Sequence, residues 1–141
     1  MTFYTNMSLP DGSWESTKTV YDPCPAGWRV PEGGGDGVWA KALGSSNSVS
    51  MSFDSKNRGI NFTGAYGDSE CIWYPNSGYR DQSDGGLSYV NGGSHSWSCS
   101  PYESNSNIAY YLNFSYSGQV SPSNYYNRAS GYPVRCLQVI D

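Results

Sequence analysis

Trp97 to Cys136 reads WSCSPYESNSNIAYYLNFSYSGQVSPSNYYNRASGYPVRC, and the seven residues Ile108-Ala109-Tyr110-Tyr111-Leu112-Asn113-Phe114 at its centre decide how the rest is read. Ile108, Tyr110, Leu112 and Phe114 alternate with Ala109, Tyr111 and Asn113. A period of two puts the first set on one face of a strand and the second on the other. Between Ser94 and Ser130, Ser, Asn and Tyr fill most positions, and Glu103 and Arg128 are the only charged residues. Such a polar chain ordinarily buries too little apolar surface to offset the entropy of ordering. This one carries anchors, because Trp97, Tyr110, Leu112, Phe114, Val120, Tyr132 and Val134 recur through it. The expectation is a framework that displays its polar residues. Tyr, Ser, Asn and Gly are also what antibody loops use: Tyr gives a large amphipathic contact with few rotors to freeze, and Ser and Asn add adaptable hydrogen bonds.

Outward from that stretch, the whole chain of 141 residues is the size of one domain. Trp14, Trp28, Trp39, Trp73 and Trp97 are spread along it, so a few large side chains are expected to build the core. The net charge is −4, there is no basic cluster, and Lys56 is the last lysine. A nucleic-acid partner is not expected, since affinity for a phosphate backbone needs concentrated Lys and Arg. No apolar run approaches the roughly 20 residues of a membrane span. The opening MTFYTNMSLPDG has neither a basic start nor an apolar h-region, so export implies a domain carried within a longer precursor.

The four cysteines, Cys24, Cys71, Cys99 and Cys136, lack CxxC spacing and accompany a single histidine, His95. No zinc site and no cofactor are expected. An even cysteine count in a chain of this composition suits an oxidising compartment, and four cysteines allow three pairings.

In chain order, residues 1–20 read as an entry strand or tail, with a turn at Pro10-Asp11-Gly12. Pro23, Pro25 and Pro31 hold the chain extended around Cys24, with a short strand at Trp28-Arg29-Val30. Asp36 is placed to cap a brief helix with Val38, Trp39, Ala42 and Leu43 on one side and Gly44 at its end. Ser45 to Lys56 reads as a Ser-rich loop, followed by strands at Gly59–Thr63 and Cys71–Tyr74. SGYRDQSDGGLSYV reads as strand, turn, strand, with Asp84-Gly85-Gly86 at the turn. These elements describe an α+β domain, mostly antiparallel β with one short helix and long irregular loops.

Enzymatic constellations are missing from the sequence. His95 stands in GGSHSWS without a nucleophile elbow, Gly33-Gly34-Gly35 lacks the phosphate-loop pattern, and Asp36, Asp81 and Asp84 lack EF-hand spacing. A carboxylate acid/base pair is equally unsupported, with Glu70 and Glu103 the only glutamates near the display stretch.

Five blocks in order, DPCPAGWRVP (Asp22 to Pro31), SGYRD (Ser77 to Asp81), WSCSPY (Trp97 to Tyr102), AYYLNF (Ala109 to Phe114) and GYPVRC (Gly131 to Cys136), resemble the FISUMP family over about residues 21–139. These domains occur on secreted and surface proteins of gut-type bacteria. The resemblance implies a C-type-lectin-like fold with a small twisted sheet, one helix and an irregular ligand-facing region, and makes GYPVRC its terminal core strand. It also places Cys24 and Cys136 in framework blocks and implies that they pair, while Cys99 with Cys71 stays open. Tyr74-Pro75-Asn76 lacks the Glu of the lectins' Glu-Pro-Asn calcium motif, and no Trp-Asn-Asp follows, so calcium-dependent sugar binding is not carried over. Nor is the catalytic cysteine pair of the related formylglycine enzymes.

Residues 95–130 are further similar to the variable region of proteins diversified by retroelements that mutagenise adenines. AAY asparagine codons can then become Tyr, Ser, Asp, His, Gly, Ile, Thr or Cys, but never Lys, Glu, Gln, Met or Trp. His95, Ser96, Tyr102, Asn105, Asn107, Ile108, Tyr111, Asn113, Ser115, Tyr116, Asn124, Tyr125, Tyr126 and Asn127 all fall in the reachable set and form the expected ligand-binding surface. Trp97, Pro101, Leu112, Phe114, Gly118, Pro122, Arg128, Gly131, Pro133 and Arg135 read as framework. The implied function is a receptor-binding module at the end of a pilus-type adhesin or phage tail fibre. It would be displayed on a cell or virion surface, with a protein or glycan receptor and the parent pilin or fibre as covalent neighbour. The alternative is a structural domain of a secreted or fimbrial protein with no variable site.

Overall fold

The computed structural model describes residues 17–43, 50–63, 71–117 and 119–139 and is mostly antiparallel β-sheet with one short helix. Its largest sheet has the order β7-β8-β9, from Gly93–Tyr102, Asn105–Ser115 and Val120–Asn127. The alternating stretch is the central strand β8. Trp97 and Asn124 flank Tyr111, and His95 and Ser121 flank Asn113. The outer edge of β7 is closed by three backbone bonds: Gly78 N donates to Gly93 O (3.1 Å), Trp97 N to Pro133 O (3.0 Å) and Cys99 N to Pro31 O (3.0 Å).

Both faces of β8 are covered. On one, Leu112 and Phe114 pack with Trp39, Ile60 and Tyr74, with Phe53 and Val120 at the margin. Tyr74 meets Phe114 at 5.1 Å between ring centroids, and its hydroxyl accepts a bond from Trp39 Nε1 (3.1 Å), so this buried pair leaves neither polar atom stranded. On the other, Ala109 and Tyr111 pack with Trp97 and Tyr132 against Tyr79. Alternation therefore holds as strand geometry, but the expectation that only one face is fixed by packing is corrected.

The first face is roofed by a second sheet, β2-β3-β4, from Ser50–Asp54, Gly59–Thr63 and Cys71–Pro75. Strand β2 replaces much of the expected Ser45 to Lys56 loop, because full-length pairing with β3 supplies the ladder that its weak intrinsic propensity does not. Residues 45–49, Gly44 and the expected entry segment up to residue 16 lie outside the described residues.

Helix α1, Val38–Leu43, buries Trp39 and Leu43 while Ala42 is exposed. Its cap is Gly37 and not Asp36: Gly37 O accepts Lys41 N (3.0 Å), and Val38 N donates back to Glu32 O (3.0 Å). The chain doubles back so tightly that a Cβ at Gly37 would lie 2.6 Å from Glu32 O, which excludes every other residue. Asp36 is left exposed.

Tyr79–Arg80 and Leu87–Ser88 form the two-stranded β5-β6 sheet around the expected Asp84-Gly85-Gly86 turn. Trp28–Arg29 (β1) pairs with Leu137–Gln138 (β10). The terminal strand thus lies after GYPVRC, a second correction. Within Gly131–Cys136 Pro133 has no N–H to continue a ladder, and Pro133, Val134 and Arg135 are exposed. Arg135 instead clamps the second sheet, donating from Nη1 to Trp73 O (2.7 Å) and lying 4.5 Å above the Tyr74 ring.

Cys24 and Cys136 are bonded across 112 residues, with their Cα atoms 5.8 Å apart. Asp22 holds this corner: its two carboxylate oxygens accept Cys24 N (2.8 Å) and Val30 N (3.0 Å), and Lys18 pairs with it at 3.2 Å.

Candidate functional site

The strand register divides the expected binding residues between two faces. His95, Tyr111, Asn113, Asn124 and Tyr126 share a face with Trp97 and Ala109, while Ser96, Ile108, Tyr125 and Asn127 belong to the face of Leu112 and Tyr110. His95, Ser96 and Tyr111 are buried, 8%, 3% and 6% exposed, and are corrected from contact residues to core residues. Their covers come from distant segments, Tyr79 and Tyr132 over His95 and Tyr111, which periodicity within β7 and β8 does not reveal. Tyr102, Ile108, Asn113, Ser115, Asn124 and Asn127 are half-buried; Asn105, Asn107, Tyr116, Tyr125 and Tyr126 are exposed. No single surface joins all of residues 95–130.

One patch lies at the β7–β8 hairpin end. Tyr125, 47% exposed, stacks on Tyr102 at 4.3 Å with 30° between planes, and Tyr110 meets Tyr102 edge-on at 5.4 Å. Tyr110 is seated from behind. Ser98 Oγ donates to Tyr110 O (2.7 Å), and a Cβ on Gly33 would fall 2.6 Å from Ser98 Cβ and 2.9 Å from Tyr110 Cβ. The glycine run is thus a close-packing device beneath the patch. Asn105 and Asn107 are exposed on the strand leaving the hairpin turn, where Asn105 Oδ1 accepts Asn107 N (2.9 Å). The neighbouring Tyr125 phenol holds the Tyr102 hydroxyl above its ordinary pKa.

The other patch gathers around His95. Tyr79 (4.8 Å), Tyr132 (4.9 Å), Tyr111 (5.5 Å) and Tyr89 (6.2 Å) surround its ring, and Trp97 stacks on Tyr132 at 4.4 Å. His95 Nδ1 has no hydrogen-bond partner. Burial depresses the imidazole to about 4. Tyr132 is raised, first by burial and then by the Tyr111, Tyr79 and Tyr126 phenols, so these hydroxyls lie near one another.

Tyr79, Tyr89 and Tyr132 were outside the expected site. The missed signal is the repeated Gly-Tyr pair: Gly78-Tyr79 and Gly131-Tyr132 are brought together by reciprocal bonds between Arg80 and Gly131 (3.1 and 2.9 Å).

The buried neutral imidazole makes stability pH-dependent. The unfolded chain protonates His95 near 6.5 and the folded chain only near 4, so the unfolded state binds more protons between those values. Stability is full above about pH 6.5 and is expected to fall by about 3 kcal/mol as pH drops through 4. Urea midpoints at pH 7 and pH 4 for wild type and His95→Phe check this: the variant should lose much less, and equal losses would rule out His95 as the source.

Among the described residues no three His, Cys, Asp or Glu side chains gather to hold a metal. Asp81 and Asp84 accept turn amides, Ser83 N (2.8 Å) and Gly86 N (2.7 Å). Cys99 is a free, half-buried thiol whose pKa burial pushes up. Among the described residues no helix is long and apolar enough to cross a membrane. Both patches offer ring faces, amides and hydroxyls, groups suited to contact and two-way hydrogen bonding. No family model matches this chain, and no curated protein or solved structure matches it either.

Proposed function

We propose that this chain is a surface-displayed binding module of the FISUMP type with a lectin-like fold, non-enzymatic, serving as the receptor-binding end of a pilus adhesin or tail fibre. Its contact surface is the hairpin-end patch of Tyr102, Tyr110 and Tyr125 with Asn105 and Asn107. The observation that carries this reading is the exposed Tyr125 stacked on Tyr102 and braced by Tyr110: a preorganised aromatic platform loses little rotamer freedom on binding. Retroelement diversification fits best at the exposed positions Asn105, Asn107, Tyr116, Tyr125 and Tyr126, whose side chains lie outside the two buried clusters. The Cys24–Cys136 bond supports an extracellular or virion-surface location, where disulfides persist. Single contacts on so small a patch are weak, and many copies on a fibre supply avidity.

The test is a glycan and protein array probed with a multivalent display of the domain. Tyr125→Ala should weaken capture of any positive receptor about tenfold or more at unchanged melting temperature. An equal loss from the remote, exposed Leu87→Ala would defeat the reading. In coding DNA, a nearby near-copy of the 95–135 segment differing only at adenines is the expected mark of diversification.

A second reading, a structural domain packed on a covalent neighbour, is favoured by one observation. Trp28, Leu137 and Val139, in or next to the β1–β10 pair, are all exposed apolar residues of the kind that a neighbour covers.

A further inference from the structure

We propose that Tyr79, Tyr89, Tyr126 and Tyr132 form a second binding site, distinct from the Tyr125 platform, that takes an alkylated ammonium group. The ring geometry carries the proposal. Tyr89 lies parallel to Tyr79 (16°, 6.0 Å), Tyr126 lies parallel to Tyr132 (17°, 6.2 Å), and Tyr79 meets Tyr132 at 75° and 5.1 Å. Two near-parallel ring pairs therefore stand at nearly a right angle to each other, and the corner is the place where their planes converge. Tyr89 is 65% exposed and Tyr126 39%, so the outer ring of each pair is reached by solvent, while Tyr132 behind them is buried.

The faces of phenol rings are electron-rich and attract cations, most strongly those that shed water easily, which is the property of alkylated ammonium. The surroundings have the same sign. The Asp81 carboxylate, charged at pH 7, is close enough to the Tyr79 phenol to oppose a second negative charge there, and it favours a cation at the same place. Arg80, the neighbour of Tyr79, turns its guanidinium to Gly85 O (2.8 Å). Beneath the corner, His95 is enclosed by Tyr79, Tyr89, Tyr111 and Tyr132 and is neutral at pH 7, so the floor adds no competing positive charge. Tyr89 holds its ring in place through a left-handed backbone (φ 55°), a conformation uncommon for a bulky residue and kept here by Gly92 N and Gly93 N, both donating to Tyr89 O (2.9 and 3.2 Å).

Titration of the whole chain with choline and with its uncharged isostere 3,3-dimethyl-1-butanol, followed by NMR of the tyrosine rings, tests this. Choline should shift the Tyr79, Tyr89 and Tyr126 resonances saturably, with a dissociation constant on the order of millimolar. The isostere should bind at least tenfold more weakly. Tyr89→Ala, at an exposed position, should weaken choline at least fivefold, and Tyr125→Ala should leave it unchanged, which separates this site from the receptor platform. Phosphocholine and N-acetyl-trimethyllysine amide distinguish a headgroup from a peptide source, tighter binding of either assigning it. Equal response to choline and the isostere, no saturable response, or an unchanged response in both Tyr89→Ala and Tyr126→Ala would overturn the proposal.

Discussion

Cys136→Ser is expected to destabilise the folded chain by about 4–5 kcal/mol, the scale for releasing a loop of roughly a hundred residues in the unfolded ensemble. The bond spans 112 residues, and the ties beside it are noncovalent: the Asp22 clip, the Arg135 clamp and the short β1–β10 ladder. The β1–β10 ladder has two residue pairs, and the strands flanking the bond leave Trp28 and Leu137 exposed. For a domain of this size the melting temperature should drop on the order of 15 °C, read by calorimetry. Reduction of the wild type should match the variant. A drop below about 3 °C in both would mean that the Asp22 clip and the β-pairing hold the corner unaided.

The second large effect separates the outward reading of β8 from its observed packing. Tyr111→Ala should cost about 3–5 kcal/mol, the range for truncating a buried aromatic. Tyr111 contacts Tyr132 (4.9 Å), His95 (5.5 Å) and Trp97 (5.9 Å), so its loss opens a cavity inside an aromatic cluster that has no other filler. Tyr125→Ala, on an exposed platform, should change stability by less than about 1 kcal/mol. Urea denaturation of the two variants gives the comparison. Similar small losses would restore Tyr111 to the exchangeable set and refute a two-sided core.

Much of the strand framework was legible because its signals are local. Period-two alternation marked β8, Pro75 ended β4, and Asp84-Gly85-Gly86 marked the turn between β5 and β6. What escaped depends on contacts between distant segments. Nothing near Tyr111 announces that Tyr79 and Tyr132 will lie over it, and a Tyr that packs cannot be told from a Tyr that is displayed by its own neighbours. The helix cap escaped for a similar reason: Asp36 has the better capping side chain, but the space at that position, against Glu32 and Gly33, admits only Gly37. Ser50–Asp54 became a strand because β3 was there to pair with it. The candidate site suffered most, since residues contiguous in sequence were separated by the pleat onto opposite faces, and the Gly-Tyr segments that complete one of them lie outside the display stretch.

The sulfur link between residues 24 and 136 also sets how a tethered copy responds to being pulled. Tension entering upstream of Cys24 and leaving downstream of Cys136 crosses a covalent shortcut, so strands β2 to β9 lie outside the force path, and β10, which follows Cys136, can peel from β1 without disturbing them. About 370 Å of contour length is withheld from extension. Pulled from both ends, the chain therefore keeps the strands between the two cysteines folded for as long as the bond holds.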